Sequence, residues 1–200
     1  PISPEYMDSL GDLAEKYGLK VHLDGARLFN AAVALDLNVE VLTQRVDSVM
    51  FCLSKGLSAP VGSIVCGERG FIQRARKFRK MVGGGMRQAG HLAAAGLVAL
   101  KSLTERLKDD HLHAKFLAEQ LASFEGIELD QNSVKTNIIF FKLNHPRIDE
   151  DQFLRTLEAN SIKILMTDPG IFRAVLHREI STEQVEVVAK IIQSVLTNRQ

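Results

Sequence analysis

Long apolar runs are missing from this 200-residue chain. None approaches the ~20 residues that a membrane-spanning helix needs, so no membrane partner is expected. The start at Pro1 offers neither a basic stretch nor an apolar signal core, and no targeting segment is visible. A strong charge of one sign is also missing. The 25 Lys and Arg against 24 Asp and Glu leave a net charge of +1, which makes no electrostatic case for nucleic acid. Cysteine is scarce. Cys52 and Cys66 both fall inside apolar runs, which reads as buried reduced thiols rather than a disulfide and favours a reducing compartment. There is no zinc-ligand spacing, internal repeat or low-complexity tract, and no metal site is expected. What is there is ordinary for a globular protein, with 46% apolar and 24% charged residues. The length suffices for one good core or two small ones.

The periodicity reads as alternating helices and strands. Ser3-Pro4-Glu5 starts a helix that runs through Met7, Leu10, Leu13 and Ala14 to Gly18. Leu19 to Leu23 reads as a short buried strand, Leu28 to Leu35 and Val39 to Arg45 as helices, and the run to Leu53 as a second strand. This alternation predicts a parallel sheet with helical crossovers. Glu68 to Met81 is a basic helix, broken by Gly83-Gly84-Gly85, and a long helix begins at Arg87. Lys108-Asp109-Asp110 is the boundary candidate, a charge-rich bend. Beyond it a small α/β domain is expected. Helices cover 111–124 and 149–160, and a strand at Asn137–Phe141 is too apolar to be solvated on one face. Two further strands flank the Asp168-Pro169-Gly170 turn, and a capping box at Ser181–Gln184 precedes the last helix.

The chain is organised around Leu53-Ser54-Lys55-Gly56-Leu57-Ser58-Ala59-Pro60-Val61-Gly62-Ser63, a turn between two apolar runs. Gly56 and Gly62 are expected to supply backbone angles other residues resist, and Pro60 to stiffen the loop. Lys55 thereby sits at the end of a buried strand, where desolvation would lower its pKa. Upstream, Val21-His22-Leu23-Asp24 ends another apolar run with an acid. A lysine and a carboxylate at two strand ends suit pyridoxal phosphate (PLP). The lysine holds the aldehyde as a Schiff base, and the carboxylate keeps the pyridine nitrogen protonated. Parallel α/β sheets gather ligands at such strand ends.

Three ordered motifs carry a resemblance: His22–Ala32, Ser54–Ser63 and Gly83–Gly90. With them the chain resembles the low-specificity L-threonine aldolases, fold-type I PLP enzymes grouped with the β-eliminating lyases. The resemblance covers essentially all of the chain but only the later half of the family's length. It implies an α/β fold in which residues 1–108 are the later part of the PLP-binding large domain and 109–200 a small C-terminal α/β domain. Lys55 and Asp24 would be catalytic. Arg27, Ser54, Lys80 and Arg87 would join them around the cofactor, with Lys80 and Arg87 acting across a subunit interface. Arg27 and Arg173 would grip the substrate carboxylate in two parallel hydrogen bonds.

The reaction implied is cleavage of L-threonine or L-allo-threonine to glycine and acetaldehyde, in threonine catabolism and glycine biosynthesis. The alternatives are β-elimination on the same scaffold, or an inactive fragment. The family's glycine-rich phosphate-binding turn and ring-stacking histidine belong to an earlier segment, and neither is found in these residues. The chain also lacks an initiating methionine. Together these suggest a processed, truncated or fragmentary chain. A homo-oligomer, dimer or tetramer, is implied. The expected compartment is cytoplasmic, or mitochondrial if a presequence is missing.

Overall fold

The structure, a computed structural model, describes residues 1–197. It divides into two compact units, Pro1–Leu107 and Lys108–Gln200. Residues 198–200, the end of the expected small domain, lie outside the described residues.

In the first unit α1 (Pro4–Lys16) starts as its sequence requires. The Ser3 hydroxyl accepts from the Tyr6 amide at 3.3 Å, and Pro4 stands in the first turn, where its missing N–H is harmless. Then follow β1 (His22–Asp24), α2 (Leu28–Leu35), α3 (Val39–Leu42), β2 (Ser48–Cys52), β3 (Ser63–Gly67), α4 (Arg69–Met81) and α5 (Gly90–Ser102). The sheet order is β1-β2-β3. β1 and β2 are parallel, with α2 and α3 between them in the chain, as the alternation predicts. β3 folds back antiparallel on β2. Leu28, Ala32 and Leu42 form one small core, and Leu53, Leu57, Ala59, Ala99 and Leu107 another.

Several expectations need correction here. Leu19 is not in a buried strand: its amide bonds back to the Ala14 carbonyl at 2.8 Å, so it closes α1, and it is 63% exposed. α3 stops at Leu42, where the Thr43 hydroxyl turns back to the Val39 carbonyl at 2.9 Å. Cys66 is exposed, because β3 is an edge strand exposed at every position, and Cys52, the last residue of β2, is half-buried; both thiols are free. The helix expected from Arg87 begins at Gly90.

The second unit contains α6 (Leu107–Ala122, from its second residue onward), β4 (Ile127–Glu128), β5 (Ile138–Leu143), α7 (Glu150–Ala159), β6 (Leu165–Asp168), β7 (Ile171–Val175) and α8 (Thr182–Thr197). Its antiparallel sheet has the order β4-β5-β7-β6. One core joins the sheet to residues of α6, α7 and α8, centred on Phe141, Phe153 and Phe172, whose ring centroids lie 5.2–6.3 Å apart. The capping box at α8 forms reciprocally: Ser181 Oγ accepts from the Gln184 amide, and Gln184 Oε1 from the Ser181 amide.

Two readings fail in this unit. β5 alternates between buried and solvated positions, and Phe140 is 49% exposed. Its flanking partners are antiparallel strands, so one face can pack while the other stays open. Lys108-Asp109-Asp110 is not a bend. The chain breaks helix at 103–106, and these residues form the first turn of α6, where two acids suit the helix dipole.

Candidate active site

Asp24 closes β1 and Cys52 closes β2, so the parallel pair ends its two strands side by side. Backbone hydrogen bonds then tie the loop after β1 to the end of β2. The Gly25 amide donates to the Met50 carbonyl at 2.9 Å, and the Cys52 amide donates to the Ala26 carbonyl at 3.3 Å. A Cβ on Gly25 would stand 2.9 Å from that Met50 oxygen, so the close approach needs a residue without a side chain. Below the loops, His22 Nδ1 and Ser48 Oγ meet at 2.8 Å across the strand pair.

Asp24 is exposed, and its Oδ1 accepts from the Ala26 amide at 3.2 Å. This turn leads directly into α2. The Leu28 amide reaches the Gly25 carbonyl at 2.7 Å, and half-buried Arg27 takes the N-cap position.

The Lys55 turn is tied at three points. Leu53 N–H donates to Gly62 O, Ala59 N–H to Leu53 O and Ser58 N–H to Lys55 O, each at 2.9 Å. Leu53, Gly56, Leu57 and Ala59 are buried beneath it, while Ser54 and Lys55 are exposed above. Two expectations change here. Lys55 is not desolvated by this chain, because it lies beyond the end of β2 on the solvent side of the turn. Gly56 is not the left-handed residue either. That conformation falls to Ser58 (φ 59°) and Gly62 (φ 116°), whereas Gly56 is needed for space: a Cβ there would stand 2.6 Å from Asn30 Oδ1 and 2.9 Å from Leu107 Cδ2.

The remaining candidates lie on other elements. Lys80 is exposed in the last turn of α4. There Gly83 (φ 83°) and Gly84 return their amides to the Lys80 and Arg79 carbonyls and stop the helix. Arg87 is exposed between α4 and α5. Among the described residues neither makes an ion pair, and no hydrogen bond ties either to the Lys55 turn. Arg173 belongs to the second unit. In register it pairs with Phe140 on one side and Leu165 on the other, both exposed, so it shares the open face of its sheet. It is half-buried and has no ion pair among the described residues. Asn30, 2% exposed, carries little mark in the sequence. The available signal was a lone amide in the apolar helix Leu28–Leu35. No cluster of three or more His, Cys, Asp or Glu able to hold a metal occurs among the described residues. No helix there is long and apolar enough to cross a membrane.

The sequence profile of the beta-eliminating lyases matches residues 1–144, which includes both strand-end motifs. The chain belongs to the beta-eliminating lyase family. This lyase-family chain is 42% identical over all of its length to low-specificity L-threonine aldolase 1 of Arabidopsis thaliana, covering 56% of that protein. It is 40% identical over 92% of its length to the low specificity L-threonine aldolase of Escherichia coli K12, covering 54% of it. The chain thus spans just over half the length of the curated relatives it matches. Among solved structures it superposes on a putative L-allo-threonine aldolase of Listeria monocytogenes with a TM-score of 0.80 at 17% identity. That match covers 97% of this chain and 57% of the other. A threonine aldolase of Leishmania major gives 0.76 at 17% identity, covering 98% and 57%. The fold is therefore the one shared by these enzymes.

Proposed function

We propose that the protein containing this chain is a PLP-dependent carbon–carbon lyase that cleaves L-threonine and L-allo-threonine to glycine and acetaldehyde. One observation carries the reading. Asp24 and the turn that bears Lys55 stand at the carboxyl ends of neighbouring parallel strands, and the Cys52–Ala26 hydrogen bond ties the loop after Asp24 to the last residue of β2. The names of the relatives support the substrate class.

The residues present fit such a cofactor. An exposed lysine stands on a turn anchored from below, and an exposed carboxylate at the end of β1 is oriented by the Ala26 amide. Bound there, PLP would supply an electron sink for the bond broken at the substrate's Cα. Lys55 Nζ would hold it covalently, and Asp24 would keep a proton on its ring nitrogen by charge complementarity. Ser54 would donate its hydroxyl to the phosphate, and Lys80 and Arg87 would add positive charge near it. Arg27 and Arg173 would orient the substrate by its carboxylate, each with a planar pair of donors.

The reading includes a homo-oligomer, supported by the exposed basic and apolar side chains of α4 such as Arg76, Phe78 and Met81. It includes the cytoplasm, or the mitochondrion if a presequence precedes the chain, supported by the free thiols of Cys52 and Cys66.

The test is reduction with borohydride in the presence of PLP, peptide mapping of the modified lysine, and acetaldehyde release from L-threonine. Modification at Lys55 is expected, and both signals fall to background in Lys55→Ala. Modification spread over surface lysines would overturn the reading. The family match also favours a second reaction, β-elimination. Pyruvate from L-serine in place of acetaldehyde from L-threonine would select it.

A further inference from the structure

We propose that Asn30 is a positioning residue for Lys55. The inference deepens the lyase reading and rests on it for the role of the lysine. Asn30 lies in α2, the helix that begins directly after the Asp24–Arg27 turn. It is 2% exposed in an otherwise apolar segment, where an alanine or leucine would pack without burying an amide. Its Oδ1 stands 2.6 Å from where a Cβ on Gly56 would be, and Leu107 Cδ2 is 2.9 Å from the same point. A carboxamide and a leucine therefore close the space on the side-chain side of Gly56, the residue immediately after Lys55.

The consequence is geometric. The same short helix is fixed at its start to the Asp24 turn by the Leu28 amide on the Gly25 carbonyl, and it brings Asn30 close to the residue that follows Lys55. Asn30 thus sets the path of the Lys55–Gly56 peptide relative to Asp24. The two groups proposed to hold opposite ends of one rigid cofactor share a single spacer. The Ser58 amide, bonded to the Lys55 carbonyl at 2.9 Å, reports whether that path is kept.

The test is a double-mutant cycle on the protein as its natural gene encodes it, with Asn30→Ala, Gly56→Ala and the pair together. Two readouts are followed. One is hydrogen exchange at Ser58 against Leu23 in β1; the other is the rate of capture of Lys55 by PLP and borohydride as a function of pH. Asn30→Ala is expected to raise Ser58 exchange about tenfold while leaving Leu23 unchanged. Gly56→Ala is expected to slow capture about tenfold, and the pair to recover about threefold or more of that loss, because the new methyl takes the space the carboxamide leaves and only the end of the Leu107 side chain must still shift. Uniform acceleration at Ser58 and Leu23 would show a role in stability alone and overturn the proposal. Additive effects on capture, or unchanged Ser58 exchange in Asn30→Ala, would overturn it as well. If Lys55 of the unsubstituted protein is never captured, the lyase reading fails, and the exchange arm still decides whether Asn30 sets the turn.

Discussion

In the second unit every long element gives side chains to one core: α6, α7 and α8 meet the buried positions of β5 and β7. In the first unit, β3 is exposed along its whole length and α4 buries no residue, although both carry apolar side chains such as Ile64, Val65, Phe78 and Met81. The unit with the closed core holds one candidate, Arg173. The unit with the open sheet holds all the others. Stability and chemistry are therefore unevenly divided. The turn that presents Lys55 is ordered locally, by three backbone hydrogen bonds and a small apolar floor, rather than by a large core around it.

The largest expected effect comes from separating the units. Residues 108–200 expressed alone should melt in one cooperative transition with dispersed amide resonances. Residues 1–107 alone should bind a hydrophobic dye and associate in sedimentation, because their apolar strand and helix faces lack cover. Two equally cooperative units would show that the first unit's core is as self-sufficient as the second's.

Next in size is Phe153→Ala. Its ring is fully buried and touches both Phe141 and Phe172. A loss of about 3–5 kcal/mol is expected from urea denaturation followed by probes in the second unit. Ser181→Ala sharpens the contrast at the surface. It removes one half of the α8 capping box and should cost about 0.5–2 kcal/mol in the same unit.

The smallest effect is one of pH. Burial pushes the His111 imidazole below its ordinary value. The unfolded chain then binds more protons than the folded one between the folded and the ordinary pKa. The contribution of His111 is complete above about pH 6.5 and is lost as pH falls below it toward the folded pKa. Denaturation at pH 7 and pH 5 should show this loss, and His111→Gln should flatten that limb.

Much of this was legible in the sequence where the cause is local. Ser3-Pro4 and Ser181–Gln184 predict their helix starts because a cap needs only a hydroxyl or an amide at fixed spacing. The glycines at 83–85 predict the stop of α4 because the left-handed cap is a property of one residue. Other features were not legible. Asn137–Phe141 reads as buried on both faces, yet Phe140 faces solvent, since only the sheet's neighbours decide which face is packed. Lys55 reads as desolvated, but exposure depends on what lies above the turn rather than on the turn itself. Asn30 looked like one more residue of a helix, and its contact with Gly56 joins segments distant in sequence.

The sequence by itself determined the alternation of helices and strands, the caps, and the order of the motifs around Asp24 and Lys55. These rest on backbone propensity and short-range spacing, which act within a few residues. Only the tertiary structure decided that β3 turns antiparallel, that α2 brings Asn30 close to Gly56, and that Arg173 takes the open face of the second sheet. Each of those depends on strands and helices meeting across long stretches of chain, where packing and steric exclusion select the arrangement and no local signal records it.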